Sequence, residues 1–99
     1  MTLPTLAECL ELVPAPGSPA HQLQAVDVWL QRRGDATISV GVVAVGASGL
    51  PERRCTVNVQ GRTFEATRLG GGYATTWLAI CAATAECERF ENAEIARVR

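Results

Sequence analysis

Ninety-nine residues leave room for one hydrophobic core and no second domain. With 47% hydrophobic and 19% charged residues, and nine Gly and five Pro without a period, the chain reads as a folded globule, not as a disordered tail, a collagen or a low-complexity segment. Nine arginines against ten acids give a net charge of −1, so no overall field draws the protein onto nucleic acid or anionic lipid, and a single His with no lysine offers little material for catalysis.

The abundance of Ala, Gly, Arg and Pro beside three Ile, two Asn and no Lys points to a GC-rich coding genome, and so to a bacterium or one of its phages. Pro4, Glu8 and Glu11 interrupt the first apolar positions, so no signal peptide is expected, and no apolar run approaches the ~20 residues of a membrane span. A cytoplasmic protein is the expectation. Cys9, Cys55, Cys81 and Cys87 form no CxxC pair and lack zinc-site spacing, which predicts free, buried thiols. On a helix, Cys81 and Cys87 would lie about 120° apart around the axis, too far round to share one ion. No metal or cofactor is expected.

Thr5 can cap a short first helical turn carrying Leu6, Leu10 and Val13, and Pro14, Pro16, Gly17 and Pro19 then impose a loop. Residues 1–17 thus read as an N-terminal arm. Ser18 before Pro19 starts a helix and Gly34 stops it. Between them Leu23, Val26 and Leu30, widened by Ala25 and Trp29, make an amphipathic helix over 19–33. The alternation of Val26, Val28 and Leu30 before a turn at Arg33 to Asp35 also fits a strand.

From Ala36 to Val45 the set Ala36, Ile38, Val40, Val42 alternates with Thr37, Ser39, Gly41, Val43, as a strand with one apolar face does. Gly46 to Glu52 must be a turn or loop. Arg54–Val59 and Arg62–Leu69 flank Gln60-Gly61, a two-residue hairpin turn. That turn pairs Val59 with Arg62, Val57 with Phe64 and Cys55 with Ala66 on an apolar face. The reverse face shows Arg54, Thr56, Asn58, Thr63, Glu65 and Thr67 with Thr37 and Ser39, open to water or to a partner. After Gly70-Gly71-Gly72 the Ala-rich stretch Thr75 to Phe90 predicts the strongest helix, with Ile80, Ala83, Cys87 and Phe90 buried and Trp77 and Leu78 broadening the stripe. Residues 91–99 read as a charged tail that either extends the helix or frays. The expected fold is a single α+β domain in the order α-β-β-β-α, a three-stranded antiparallel sheet with its helices packed on one face.

The stretch Thr75-Thr76-Trp77-Leu78-Ala79-Ile80-Cys81-Ala82-Ala83 resembles the closing-helix signature of the phage ABA-sandwich domains, in which a Thr precedes an Ala-Ile-Cys-x-Ala core. Ser18 to Arg33, with Ala25 and Trp29, is similar to that family's first helix. The resemblance implies a phage or prophage accessory protein, a class that includes inhibitors of bacterial defence such as anti-CRISPR proteins. The partner it implies is a larger host protein or complex in the bacterial cytosol. The order of elements is also similar to a double-stranded-RNA-binding domain, with Val57 to Ala66 as its last hairpin and Thr75 to Ala85 as its second helix. That family sets Lys and Arg at the start of the last helix, whereas Gly70 to Leu78 here holds no basic residue. A nucleic-acid-binding module is therefore the alternative reading and a small enzyme the third.

The face expected to meet a partner comprises Arg53, Arg54, Thr56, Asn58, Arg62, Glu65, Arg68 and Tyr73, with Trp29 joining if exposed. The competing reading has alternate arginines pointing to opposite sides and pairing with Glu52 and Glu65. His21 has the chemistry of a general base but the position of an exposed first-turn residue. The triple glycine has the makings of an anion cradle and reads more simply as a flexible connection. Glu86, Glu88, Glu91 and Glu94 read as a solvated face rather than a nucleic-acid mimic. A sheet edge beside Gly46 to Glu52, with Val43 and Val45 on an otherwise polar face, favours a homodimer.

Overall fold

The structure is a computed structural model that describes residues 3–13, 18–43 and 49–98, with Val43 and Val98 described by backbone alone. The element order is α1 (Leu6–Leu12), α2 (Pro19–Arg33), β1 (Ala36–Val43), β2 (Glu52–Val59), β3 (Arg62–Leu69) and α3 (Tyr73–Val98). The class is α+β as expected, with α1 making the order α-α-β-β-β-α. The sheet is antiparallel in the order β1-β2-β3.

Each start and stop has a local cause. Thr5 Oγ1 accepts the Glu8 N–H at 3.2 Å and caps α1. Ser18 Oγ accepts the His21 N–H at 3.0 Å, Pro19 opens α2, and the Gly34 N–H closes it on the Gln31 carbonyl. The helical reading of 19–33 is the correct one. At the hairpin, Gln60 and Gly61 take φ of 52° and 83°, the two positive values of a type I′ turn. The register is the expected one, Val59 with Arg62, Val57 with Phe64 and Cys55 with Ala66. Gly70 admits no side chain, because a Cβ there would lie 2.8 Å from Thr75 Oγ1 and φ is 125°.

All three helices gather on one side. α3 lies across β2 and β3, α2 lies beside β1, and α1 rests on α2. The core between them holds Cys55, Val57 and Val59 of β2, Ala25, Val26 and Trp29 of α2, Ala79, Ile80, Ala83 and Cys87 of α3, and Leu6 and Cys9 of α1. Alanines at 79 and 83 let α3 approach the sheet closely, and each large apolar side chain so covered contributes roughly 1.5–3 kcal/mol.

Four expectations change. α3 starts before Thr75, and of the two readings of the charged stretch after Phe90 the helical one holds, supported by exposed pairs one turn apart, Arg89 with Glu86 and Arg97 with Glu94. At about 1.5 Å per residue it is ~39 Å long. Eight-residue strands span only ~27 Å, so α3 outruns the sheet. Leu23 is 54% exposed and Leu78 is exposed too, while His21 and Arg33 lie on the buried side of α2. On β1, Ala36 and Ile38 are half-buried but Val40 and Val42 stand exposed, since α2 does not cover that end of the strand. Val45, the 14–17 part of the proline loop and the 44–48 part of the connection lie outside the described residues.

Candidate functional site

The alternation of a strand puts every second side chain on the face away from the helices. Register aligns them in three rows: Thr37, Asn58 and Thr63; Ser39, Thr56 and Glu65; Gly41, Arg54 and Thr67. Among the described residues no helix covers this face, and Thr37, Ser39, Gly41, Arg54, Thr63, Glu65 and Thr67 are exposed. Asn58 Nδ2 donates to Thr63 Oγ1 at 3.2 Å across the strands, which orders one end of the face.

The eight residues expected to form one binding surface fall in three places. Arg54, Thr56, Asn58 and Glu65 share the open face. Arg53, Arg62 and Arg68 point to the helix side, as alternation requires, so the single basic patch does not form. Arg62 lies over the Phe90 ring at 4.5 Å, the Arg53 Nε is buried, and Arg68 donates to the Thr67 carbonyl. Among the described residues no ion pair joins these arginines to Glu52 or Glu65, so the pairing half of the competing reading also gives way. Tyr73 sits at the start of α3, where its hydroxyl donates to the Pro19 carbonyl at 3.2 Å.

Trp29 is fully buried and presents nothing to a partner. His21, expected at the surface, is 5% exposed, and its Nε2 hydrogen-bonds the Leu10 carbonyl at 2.7 Å, tying α1 to α2. Two of the four glutamates expected in solvent are structural. Glu88 Oε2 accepts both the Leu6 N–H at 2.7 Å and the Trp29 Nε1–H at 2.9 Å. Glu91 takes a bidentate pair from Arg33, Nε to Oε2 at 2.9 Å and Nη2 to Oε1 at 2.7 Å. Arg33 also donates to the carbonyls of Trp29 and Pro4 and stacks on the Trp29 ring at 3.8 Å. The stripe through Ala25, Val26 and Trp29 reaches position 33 by helical spacing, and that was the available signal for Arg33.

Burial pushes the thiols of Cys55 and Cys87 up to about 11 and raises those of Cys9 and Cys81. They are poor nucleophiles at neutral pH. Among the described residues, no group of three or more His, Cys, Asp or Glu is placed to hold a metal ion. No described helix is long and apolar enough to cross a membrane. A groove of about 490 Å³ lies where α3 overhangs the hairpin, lined by Arg62, Phe64, Phe90, Glu94 and Ile95 among others. Its wall also includes the Cys87 thiol and the Glu91 carboxylate, but the carboxylate is engaged by Arg33 and burial holds the thiol up at about 11.

Comparison with protein-family models, with curated proteins and with solved structures finds no match for this chain.

Proposed function

We propose that the protein is a small interaction module that acts by occupying a surface on a larger protein, with the open face of the sheet as its contact. The observation that carries this reading is the three-stranded face, covered by no described helix, that presents Arg54, Thr56, Asn58 and Glu65 in register. A preformed surface binds without the ordering cost a disordered segment would incur. Contact is favoured over catalysis by where the reactive groups lie: the imidazole is engaged under α1 and the Cys9, Cys55 and Cys87 side chains are buried.

Inhibition of a bacterial defence complex by a phage-encoded chain is the narrower form of this reading. It is supported by the resemblance of Thr75–Ala83 and Ser18–Arg33 alone. A nucleic-acid contact gains no support from the face, where Arg54 is the one basic residue of the described set and Glu65 opposes it in the adjacent row. Homodimer formation through a sheet edge is compatible with the reading, because it leaves the face free.

The test is affinity capture from a bacterial lysate with matched variants. Arg54→Glu should lower recovery of a specifically bound protein at least about fivefold, equivalent to about 1 kcal/mol. Arg62→Glu, on the opposite side of the sheet, serves as the control and should leave recovery unchanged. Equal recovery with both variants would rule out this face as the contact.

A further inference from the structure

The two edges of the sheet differ in a way that selects a partner. Gln60 donates its N–H to the Asp35 carbonyl at 2.9 Å, just beyond the β1–β2 ladder, and Gly70 donates to the Pro51 carbonyl at 2.8 Å, just beyond the β2–β3 ladder. In an antiparallel pair, hydrogen-bonded and non-hydrogen-bonded positions alternate, so these two bonds set the phase of both ladders. Thr37, Ser39 and Gly41 exchange bonds with β2. Ile38, Val40 and Val42 therefore turn their N–H and C=O groups outward along the free edge.

Nothing on β1 guards that edge. Its eight residues, ATISVGVV, include no charge and no proline, and its register against β2 runs without a bulge. Edge strands normally carry one of these protections, because a bare row of donors and acceptors recruits another strand. β3, the other edge, carries Arg62, Glu65 and Arg68. By the same phase its outward-facing residues are Thr63, Glu65 and Thr67, so pairing β3 with its own copy about Glu65 would set two carboxylates face to face. On β1, Val42 is 60% exposed and Val40 is exposed as well, both with side chains on the helix side.

We propose that the β1 edge is a self-association site, at which two copies pair antiparallel about a two-fold axis at Val40. A strand that meets its own reverse must be compatible with itself, and an uncharged strand is. In this register Val40 exchanges hydrogen bonds with its copy, and Ile38 does so with the second copy's Val42. The outward groups of Ile38, Val40 and Val42 on each strand are then filled, and the exposed valines become cross-strand neighbours. The inference depends on the edge and not on the open face, so failure of either leaves the other standing.

The experiment combines light scattering during size exclusion with amide hydrogen exchange, each from micromolar to millimolar protein. The mass should double with concentration. Over the same range the amides of Ile38, Val40 and Val42 should gain at least about tenfold protection, while those of Thr37, Ser39 and Gly41 are protected throughout. Val40→Lys, an exposed position, should keep the wild-type circular dichroism spectrum and remain monomeric. Thr67→Lys on the β3 edge should still dimerise. A wild-type protein monomeric at every concentration would overturn the proposal. So would a dimer that survives Val40→Lys, or one whose formation protects β3 amides instead.

Discussion

The bidentate pair between Arg33 and Glu91 invites a perturbation whose size follows from its surroundings. The two side chains are 1% and 17% exposed, and the guanidinium also serves the carbonyls of Pro4 and Trp29. Glu91→Gln keeps the shape but removes the negative charge, leaving an arginine buried without a counter-ion. Breaking a buried pair in this way costs about 3–5 kcal/mol, a large share of the roughly 5–15 kcal/mol that holds a domain together. For a domain of this size the midpoint of thermal unfolding should fall by at least about 12 °C. Arg97→Ala removes the partner of Glu94 in an exposed pair and should cost under about 1 kcal/mol. Urea unfolding followed by circular dichroism measures both, and an unchanged slope would confirm that only stability moved. If Glu91→Gln proved no more costly than Arg97→Ala, the assignment of this pair as the joint between the N-terminal third and α3 would be wrong.

Other expectations follow from the same contacts. Trp29→Phe deletes the indole donor to Glu88 and should cost about 1.5–3 kcal/mol, with Leu6→Ala adding its own loss, read by the same urea titration. His21→Ala should release α1, so that the amides of Leu10 and Leu12 exchange at least about tenfold faster while those of β2 are unchanged. Native protein should react slowly with a thiol reagent at pH 8, and all four cysteines should react once guanidinium unfolds it. Because burial raises the Cys55 and Cys87 thiols to about 11 from an ordinary value of 9.0, the folded state retains protons that the unfolded state releases. Stability should therefore be complete below pH 9 and fall progressively between pH 9 and 11. A Cys55→Ala, Cys87→Ala variant should show a shallower alkaline decline, and an identical decline would contradict the assignment.

Local signals made much of this fold legible. Ser18, Pro19 and Gly34 bound α2 because capping chemistry is written within a few residues, and Gln60-Gly61 carries the hairpin register for the same reason. The open face was readable from strand alternation alone. Arg33 carries no apolar signal of a core residue, although it lies four residues beyond Trp29 on the buried stripe. Hydrophobic periodicity counts apolar letters, and what makes an arginine tolerable inside is a carboxylate 58 positions later in the chain. The same holds for Glu88 and His21, whose partners are fixed only by how α1, α2 and α3 pack. The division of the arginines between two sides of the sheet follows from the same parity that placed Arg54 outside. The alternate-sides reading of these arginines is therefore the one that holds, without its ion pairs among the described residues.

On β2 and β3, pleating separates two jobs that compete in most small proteins. Thr56, Asn58, Thr63, Glu65 and Thr67 stand back to back with Cys55, Val57, Phe64 and Ala66, so replacing one set leaves the packing of the other untouched. Such a wall tolerates randomisation. Mutational libraries confined to it should keep their melting behaviour, and a lineage could rewrite that wall residue by residue without passing through unfolded ancestors.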